Sequence, residues 1–525
     1  MKKFFALVLA LVLTMGLCSV SLPASADDTP VELIVWLLGP GEQVDQPEVF
    51  ELFNEKLHET LPNISVDITI FGSANEHRDS FARAMAAGER IDLCWMGYKH
   101  TIADQARDGN IIALDDLLNE YGQGIIETLG EDTINLHRLS DGKIYNLISW
   151  QGLIGNRMGV FIPEESIENS GVGDTWLEEA QAIAYEFQSN HTVEVQQKFF
   201  DKFAEYLQGL VDNGKIYKGM NQYTFQQLQI SGWFEGEWLA FGDRYTDSFA
   251  AYCTMEDDLV KNYFKNQAEY YDKGYIRSDI ATADVNTDWS NGLDEDDEVA
   301  TGHNAWVDNY DQVLTEAYGI PMKVIYNRKD ADITLGNATS MVIPYTSEYP
   351  EQAMTFLNEI YTNAPLYQLL IYGEEGKHYT VNDDDSITIL GGSGDASTDF
   401  AYGLWNWVIG TCENVRKSQN PYNNPAYYEE LKAMEANAFV SPLLEFSYDK
   451  SNVEAEYANL SAVFTEYYPP LVAGYLGSAG WEAYYNEALD QMKANGLDTV
   501  LADCQEQLDA FCAERGITSW NWTVE

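Results

Sequence analysis

The feature that most constrains this chain is an alternation of strand-like and helix-like patterns between residues 31 and 95. Residues 31–38 form a nearly unbroken apolar run, which is typical of a strand buried on both faces. Apolar residues then recur at every second position in 64–70, and a third apolar run covers 91–95. An amphipathic helix pattern separates each strand from the next. This repetition predicts parallel strands joined by right-handed crossovers, so the predicted fold class is α/β.

The rest of the chain is richer in helix patterns and long enough for a second domain. Amphipathic runs cover 195–211 and 255–271, and a last helix pattern ends near Gly516. The polar, acidic stretch 288–298 is interpreted as a loop between domains. With 525 residues, 45% of them apolar, the chain can form two or more domains around a large core.

The first 26 residues have the pattern of a cleaved secretory signal peptide. Two lysines precede an apolar stretch at 4–17, and Ala24-Ser25-Ala26 is a small-residue cleavage site. No later segment is apolar and long enough to span a membrane, so we expect an exported protein at the cell surface or in the periplasm. Cys18 stands where a lipoprotein would be acylated, but bulky Leu17 replaces the small residue that such signals require. A lipid anchor is therefore poorly supported.

Charge and missing motifs exclude several functions. The chain has 84 acidic and 30 basic side chains, a net charge of −54, which excludes nucleic acid as a partner. Its seven histidines lack metal-ligand spacing, and no nucleotide-binding loop or GxSxG motif occurs, so we expect no cofactor and no metal. The acidic runs 294–298 and 383–385 do not follow the EF-hand pattern and are interpreted as solvated turns. The five cysteines after the signal peptide are expected to be buried free thiols.

The aromatic residues are the most informative candidates for a binding site. Several tryptophans follow predicted strand ends, and ligands of open parallel sheets bind beyond the carboxyl ends of the strands. Indole rings stack on the C–H faces of sugars while amides bond hydroxyl groups, so the set predicts a carbohydrate site. Taken singly, a tryptophan is more often a core residue. The predicted stacking residues are Trp36, Trp95, Tyr98, Trp150, Trp306, Trp405 and Trp407, and the predicted hydrogen-bonding residues are Asn304 and Asn406.

Blocks of sequence along the chain also resemble a known family. They include AAGERIDLCW at 86–95, GNIIALDDLL at 109–118, YGEEGKHY at 372–379, SPLLEF at 441–446 and EYY at 466–468. In this order they resemble the family 1 extracellular solute-binding proteins of bacterial ABC importers, in particular the oligosaccharide-binding, lipoprotein-like branch with a C-terminal domain of unknown function. Two departures are the missing proline of the first crossing in 145–148, and Gly410-Thr411 in place of the usual Gly-Asn.

The resemblance implies a bilobed periplasmic-binding-protein type II fold, the Venus flytrap, in which two α/β lobes are joined by hinge crossings. The ligand then lies in the cleft between the lobes. The implied division gives 27–146 and 300–344 to lobe 1, and 147–299 and 345–525, with the helical C-terminal region, to lobe 2. The implied crossings lie near 145–150, 300–302 and 344–347.

The function implied is a non-catalytic receptor that binds a carbohydrate, in particular an oligosaccharide, and delivers it to the permease subunits of an ABC transporter. We expect a monomer. Two alternatives stay open from the sequence. A secreted glycoside hydrolase with a carboxylate pair would use the same aromatic residues, and a cell-surface adhesin would present a flat interface without closure on a ligand.

Overall fold

The computed structural model describes most of the chain after the predicted signal peptide. The described residues are 29–97, 100–139, 141–155, 157–215, 232–235, 238–282, 301–334, 339–390, 401–418 and 425–522, with 232–235, 301–304 and 317–318 described by backbone only. The predictions for residues 1–26, Cys18, Tyr98 and the acidic run 294–298 lie outside these residues.

The described strands and helices alternate along the chain. The strands are β1 (Val31–Leu38), β2 (Ile64–Phe71), β3 (Leu93–Gly97), β4 (Leu147–Ile148), β5 (Ile154–Gly155), β6 (Met158–Pro163), β7 (Gly232–Glu235), β8 (Leu239–Asp243), β9 (Ser248–Cys253), β10 (Thr301–Asn304), β11 (Met322–Tyr326), β12 (Asp332–Ile333), β13 (Thr339–Val342), β14 (Tyr379–Val381), β15 (Ile387–Ile389) and β16 (Phe439–Val440). The helices are α1 (Gln46–Leu57), α2 (Ala74–Ala87), α3 (Ile102–Arg107), α4 (Asp115–Tyr121), α5 (Gln123–Leu129), α6 (Glu131–Asn135), α7 (Glu164–Ser170), α8 (Trp176–Ser189), α9 (Val193–Asp212), α10 (Asp258–Asp272), α11 (Tyr310–Tyr318), α12 (Pro350–Thr362), α13 (Ala364–Tyr372), α14 (Pro425–Glu435), α15 (Glu454–Ala473), α16 (Gly477–Ala494) and α17 (Leu497–Arg515).

The first sheet has the strand order β2-β1-β3-β13-β4. Strand β1 is parallel to both β2 and β3, as the strand–helix–strand pattern predicts. The returning strand β13 is antiparallel to both β3 and β4. Helix α2 begins after Ser73, whose hydroxyl accepts the Glu76 N–H, and ends at Gly88, whose φ of +67° favours glycine. These signals hold the turns short and bring the carboxyl ends of β1, β2 and β3 to one edge.

A small sheet of strand order β16-β12-β5 joins the two halves of the molecule. Each of its strands is two residues long, and the three strands come from distant parts of the chain. We call it the hinge sheet. At the implied crossings, 147–148 lies in the first sheet, Gly302 pairs with Val160 inside another sheet, and Pro344 forms a bridge with Ile111, so the position of the crossings stays a prediction.

A buried ion network fixes the hinge sheet to its surroundings. Asp332 of β12 is fully buried and accepts two hydrogen bonds from the Arg244 guanidinium, at 2.7 Å each. The Arg328 guanidinium donates two more, at 2.9 and 3.1 Å. Because the carboxylate is bonded on both sides, its burial does not leave an unpaired charge.

The core of the first lobe continues through the hinge sheet. Residues of the first sheet, of the hinge sheet and of one face of the β10-β6-β11 sheet belong to a single apolar cluster. Helices α12 and α13 also pack in this cluster, through Phe356 and Leu370 among others. These contacts differ from the implied division at residue 344, which placed both helices in lobe 2 and separated β6 from β10 and β11; the bounds of the two lobes stay a prediction. The chain returns to the first sheet at β13, and residues of α14 such as Tyr428 and Leu431 still belong to the same cluster.

The second core is mainly helical. It covers the opposite face of the β10-β6-β11 sheet and is formed by α8, α9 and α10 together with α15, α16 and α17. The last helix pattern is confirmed, because α17 buries Val500, Cys504 and Leu508 and ends at Gly516. The five cysteines after residue 28 are buried and free. Within the described residues, we find no helix with the length and apolar content needed to cross a membrane.

Candidate functional site

Two stacked tryptophans form the centre of the candidate site. The rings of Trp405 and Trp407 are 5.1 Å apart and inclined by only 14°. Both side chains are half-buried, whereas Leu404 and Val408 on either side are buried. The two indoles lie side by side, although residues 406–407 form a turn and not the extended segment on which the predicted shared face depended. We call residues 405–407 the tryptophan platform.

The platform lies at the carboxyl end of the parallel strands, where the sequence placed the site. Gly39, which follows β1, leaves so little room that a Cβ there would lie 2.9 Å from Leu404 Cδ1. The Gly403 N–H donates to the Gln43 side chain in the turn after β1, at 2.9 Å. A larger residue at position 39 would displace Leu404 and with it the platform. The glycine therefore allows the platform to pack directly against the end of β1.

A hydroxyl group of the returning strand holds Trp407. The Thr339 hydroxyl donates to the Trp407 carbonyl oxygen at 2.8 Å and accepts the Trp95 indole N–H at 2.9 Å. Trp95 is fully buried in the first core. This corrects the prediction for Trp95, because its ring has no face open to a ligand and instead supports the platform from below.

Other buried groups fix the platform backbone. The Tyr367 hydroxyl donates to the Asn406 carbonyl oxygen at 2.6 Å, and the Ser149 hydroxyl donates to the Val408 carbonyl oxygen at 3.0 Å. The Asn406 side-chain amide donates to the Tyr428 hydroxyl at 3.2 Å. The sequence analysis missed these supporting residues, because they come from separate elements and carry no local signal.

Trp150 lies beside the platform but is buried. Its side chain is 5% exposed, its ring is 5.9 Å from that of Tyr428, and the Lys432 ammonium lies 5.1 Å from the ring centroid. Its backbone bridges to Thr411, just after the platform. The prediction of an open stacking face on Trp150 is corrected, since the ring packs under Tyr428 and Lys432.

The remaining predicted residues are divided between two surfaces. Trp36 is half-buried and packs 5.0 Å from Phe71 and 6.3 Å from His77, on the face of the first sheet opposite to the core that supports the platform. Trp306 is half-buried and follows β10; its carbonyl oxygen accepts from Arg157 at 3.0 Å. The side chain of Asn304 lies outside the described residues, as does Tyr98. The structure therefore brings Trp150, Trp405, Asn406 and Trp407 together and leaves Trp36 on the other face.

The main ionisable groups near the platform are on α14. The Glu435 carboxylate accepts the backbone N–H of Leu153, which directly precedes the hinge strand β5. Burial raises the pKa of Glu435 to about 7. Lys432 forms an ion pair with Glu413. Among the described residues, no cluster of three or more His, Cys, Asp or Glu side chains is arranged to hold a metal ion. The platform itself offers aromatic stacking and hydrogen bonding.

The fold is that of the bilobed solute-binding proteins, which confirms the predicted fold class. The structure is similar to that of the N-glycan transport solute-binding protein NgtS from Streptococcus pneumoniae, with a TM-score of 0.71, 17% sequence identity, and coverage of 93% of this chain and 100% of NgtS. It is also similar to the S. pneumoniae ABC-transporter substrate-binding protein FusA in complex with kestose, with a TM-score of 0.59, 13% identity, and coverage of 93% and 100%. NgtS has also been solved in complex with Man5GlcNAc.

Sequence comparison agrees with this class. The chain is 26% identical, over 263 residues, to a protein of S. pneumoniae serotype 4 named carbohydrate ABC transporter substrate-binding protein, which is 48% of this chain and 49% of that protein. The chain thus matches about half the length of this curated relative. Residues 442–513 match the family model described as a domain of unknown function (DUF3502). This agrees with the C-terminal domain that the resemblance implied.

Proposed function

We propose that this protein is the substrate-binding receptor of an ABC importer and that it binds an oligosaccharide on the tryptophan platform. The stacked pair Trp405 and Trp407, at the carboxyl end of the first sheet, is the observation that carries the proposal. The nature of the ligand is supported by the similar proteins, which were solved with N-glycan fragments or with kestose.

The proposed binding mode uses the exposed part of the platform. A sugar ring lies with its C–H face on an indole, and its hydroxyl groups bond polar side chains at the rim. Because buried hydroxyl groups hold the backbone of the platform, little ordering is needed when the ligand binds. Trp306, which packs at the edge of the first apolar cluster, remains a predicted contact, as do Asn304 and Tyr98. Movement about the hinge sheet then encloses the ligand.

Delivery completes the proposed function. The receptor is exported by its signal peptide, acts as a monomer and presents the enclosed oligosaccharide to the permease subunits without altering it. The lobes of this receptor are proposed to follow the two cores, with residues 339–415 in the first lobe and the region matched as a domain of unknown function in the second.

Calorimetry with a glycan panel tests the proposal. The panel contains mannose-containing N-glycan fragments and fructo-oligosaccharides, and the variants are Trp405→Ala and Trp407→Ala. We expect at least one glycan to bind, and each variant to bind it about tenfold more weakly or worse, since a stacked ring contributes on the order of 1 kcal/mol beyond its buried area. Tyr484→Ala is the matched control, because Tyr484 is a half-buried aromatic residue on α16 of the second lobe. Unchanged affinity in both tryptophan variants contradicts the proposal.

The raised pKa of Glu435 keeps the hydrolase alternative open to a direct test, since a general acid requires such a pKa. Incubation of the protein with the bound glycan, followed by chromatography, is expected to return the glycan intact. If the wild type releases shorter glycans and the Glu435→Gln variant does not, the protein is a hydrolase instead.

A further inference from the structure

The two lobes also touch outside the hinge sheet, through charged side chains. The Lys450 ammonium lies 2.8 Å from the Asp104 carboxylate, and the Arg107 guanidinium lies 3.5 Å from the Asp449 carboxylate. Asp104 and Arg107 are on α3 of the first lobe, where they are also paired with each other at 2.8 Å. Each lobe thus presents one acid and one base to the other.

The second-lobe side of this contact is held rigidly. The Asp449 N–H donates to Gln507 at 2.9 Å, and the Gln507 side chain donates back to the Asp449 carbonyl oxygen at 2.7 Å. The Asp449 carboxylate accepts the Ser451 N–H at 3.0 Å, and the Lys450 ammonium lies 5.1 Å from the centroid of the Tyr457 ring. These bonds fix residues 449–450 on α15 and α17.

The first-lobe side is anchored as well. Ile102 of α3 is buried in the cluster that contains Cys94 and Met96, on the face of the first sheet opposite to the first core. The Asp104 side chain is only 19% exposed and the Lys450 side chain 26%. Partial burial reduces the screening of this pair by water and salt, so it is worth more than a fully exposed pair.

We propose that residues 449–450, at the start of the domain of unknown function, form the closing contact of the receptor. The ion pairs exist only when α3 and this segment are within a few ångströms, so they favour the arrangement in which these two surfaces meet, which the proposal takes as the closed one. Asp104 and Lys450 are then positioning residues that raise ligand affinity without touching the ligand. The expected effect of these ion pairs on glycan affinity rests on the proposed function. Their expected effect on the distance between the lobes does not.

The experiment measures closure directly and without ligand. Spin labels are attached to cysteines at the exposed positions Glu51 of α1 and Glu482 of α16, and the distance between them is measured by pulsed electron paramagnetic resonance. We expect Lys450→Glu to shift the distribution toward longer distances, because residue 450 then repels Asp104. The exchanged pair Asp104→Lys with Lys450→Glu is expected to restore the shorter distances, because it restores opposite charges at the two positions.

A matched control separates this effect from a general loss of charge. Lys202→Glu breaks ion pairs with Glu179 and Glu205 that lie entirely within the second lobe, and it is expected to leave the distance distribution unchanged. An unchanged distribution in Lys450→Glu, or a shift that the exchanged pair does not reverse, would overturn the proposal.

Glycan affinity distinguishes this proposal from the proposed function. If a glycan binds, we expect Lys450→Glu to weaken it about three- to tenfold and the exchanged pair to recover it. If no glycan binds any variant but the distances respond as expected, the closing contact stands and the carbohydrate proposal fails. If a glycan binds and neither its affinity nor the distances respond to Lys450→Glu, the closing contact fails alone.

Discussion

At the scale of single residues, the site depends on a few side chains that no local pattern marks. The spacing of Trp405 and Trp407 predicted a shared face for an extended segment; the rings do stack, but on a turn in which the Val408 N–H donates to the Trp405 carbonyl oxygen at 3.3 Å. The burial of Trp95 was not predictable, since it is caused by strand β13, which comes from more than 240 positions later in the chain. The spacing of two residues can be read from the sequence, whereas the strand that pairs with a given strand cannot.

The support for the platform gives one prediction at this scale. Thr339→Val removes the acceptor of the buried Trp95 N–H and the donor to the Trp407 carbonyl oxygen. We expect the free energy of unfolding to fall by about 1–3 kcal/mol, which is the usual cost of leaving buried polar groups unpaired. Thr339→Ser keeps the hydroxyl group and is expected to lose less. Equal losses in the two variants, measured by urea unfolding, would show that the hydroxyl group does not support the platform.

Glu435 gives a prediction of pH dependence. Its pKa is about 7 in the folded protein, against a reference value of 4.5. Between these values the folded state holds a proton that the unfolded state has released, so the contribution of this group to stability falls as the pH rises from 4.5 to 7 and is constant above that. Glu435→Gln removes this term. The difference in unfolding free energy between wild type and variant should therefore change across this window, and a constant difference would contradict the raised pKa.

At the scale of elements, patterns of about eight or more residues predicted β1, β2 and the long helices well. Strand β1 and the end of the last helix at Gly516 are examples, because hydrophobic periodicity and a glycine end signal are properties of the segment itself. The hinge sheet was missed because its strands are two residues long and have no periodicity. The core in which α12 and α13 pack was also missed, since the pattern of a helix does not state which core it packs against.

The hinge sheet gives a prediction at the scale of elements. Asp332→Ala leaves the guanidinium groups of Arg244 and Arg328 without the carboxylate that they share in the interior. We expect a loss of about 3–5 kcal/mol in unfolding free energy, as for other broken buried ion pairs. The control Asp79→Ala breaks an exposed Arg–Asp pair on α2 and is expected to cost less than about 1 kcal/mol. Similar losses in the two variants would show that the buried network does not stabilise the hinge.

At the scale of the whole molecule, the hinge sheet and the proposed closing contact connect the two lobes. The tryptophan platform lies at the carboxyl end of the first sheet. The net charge of −54 disfavours self-association through mutual repulsion and by itself identifies no ligand. The order of sequence blocks implied the bilobed fold, which the similar structures confirm, but the faces of the cleft depend on contacts between distant segments.

A crystal structure of the protein with the best-binding glycan of the panel tests the central claim most directly. We expect a sugar ring stacked on Trp405 or Trp407 at about 4 Å, the ordinary distance of van der Waals contact, with both lobes closed around it. A glycan bound elsewhere, with the platform uncovered, would contradict the account.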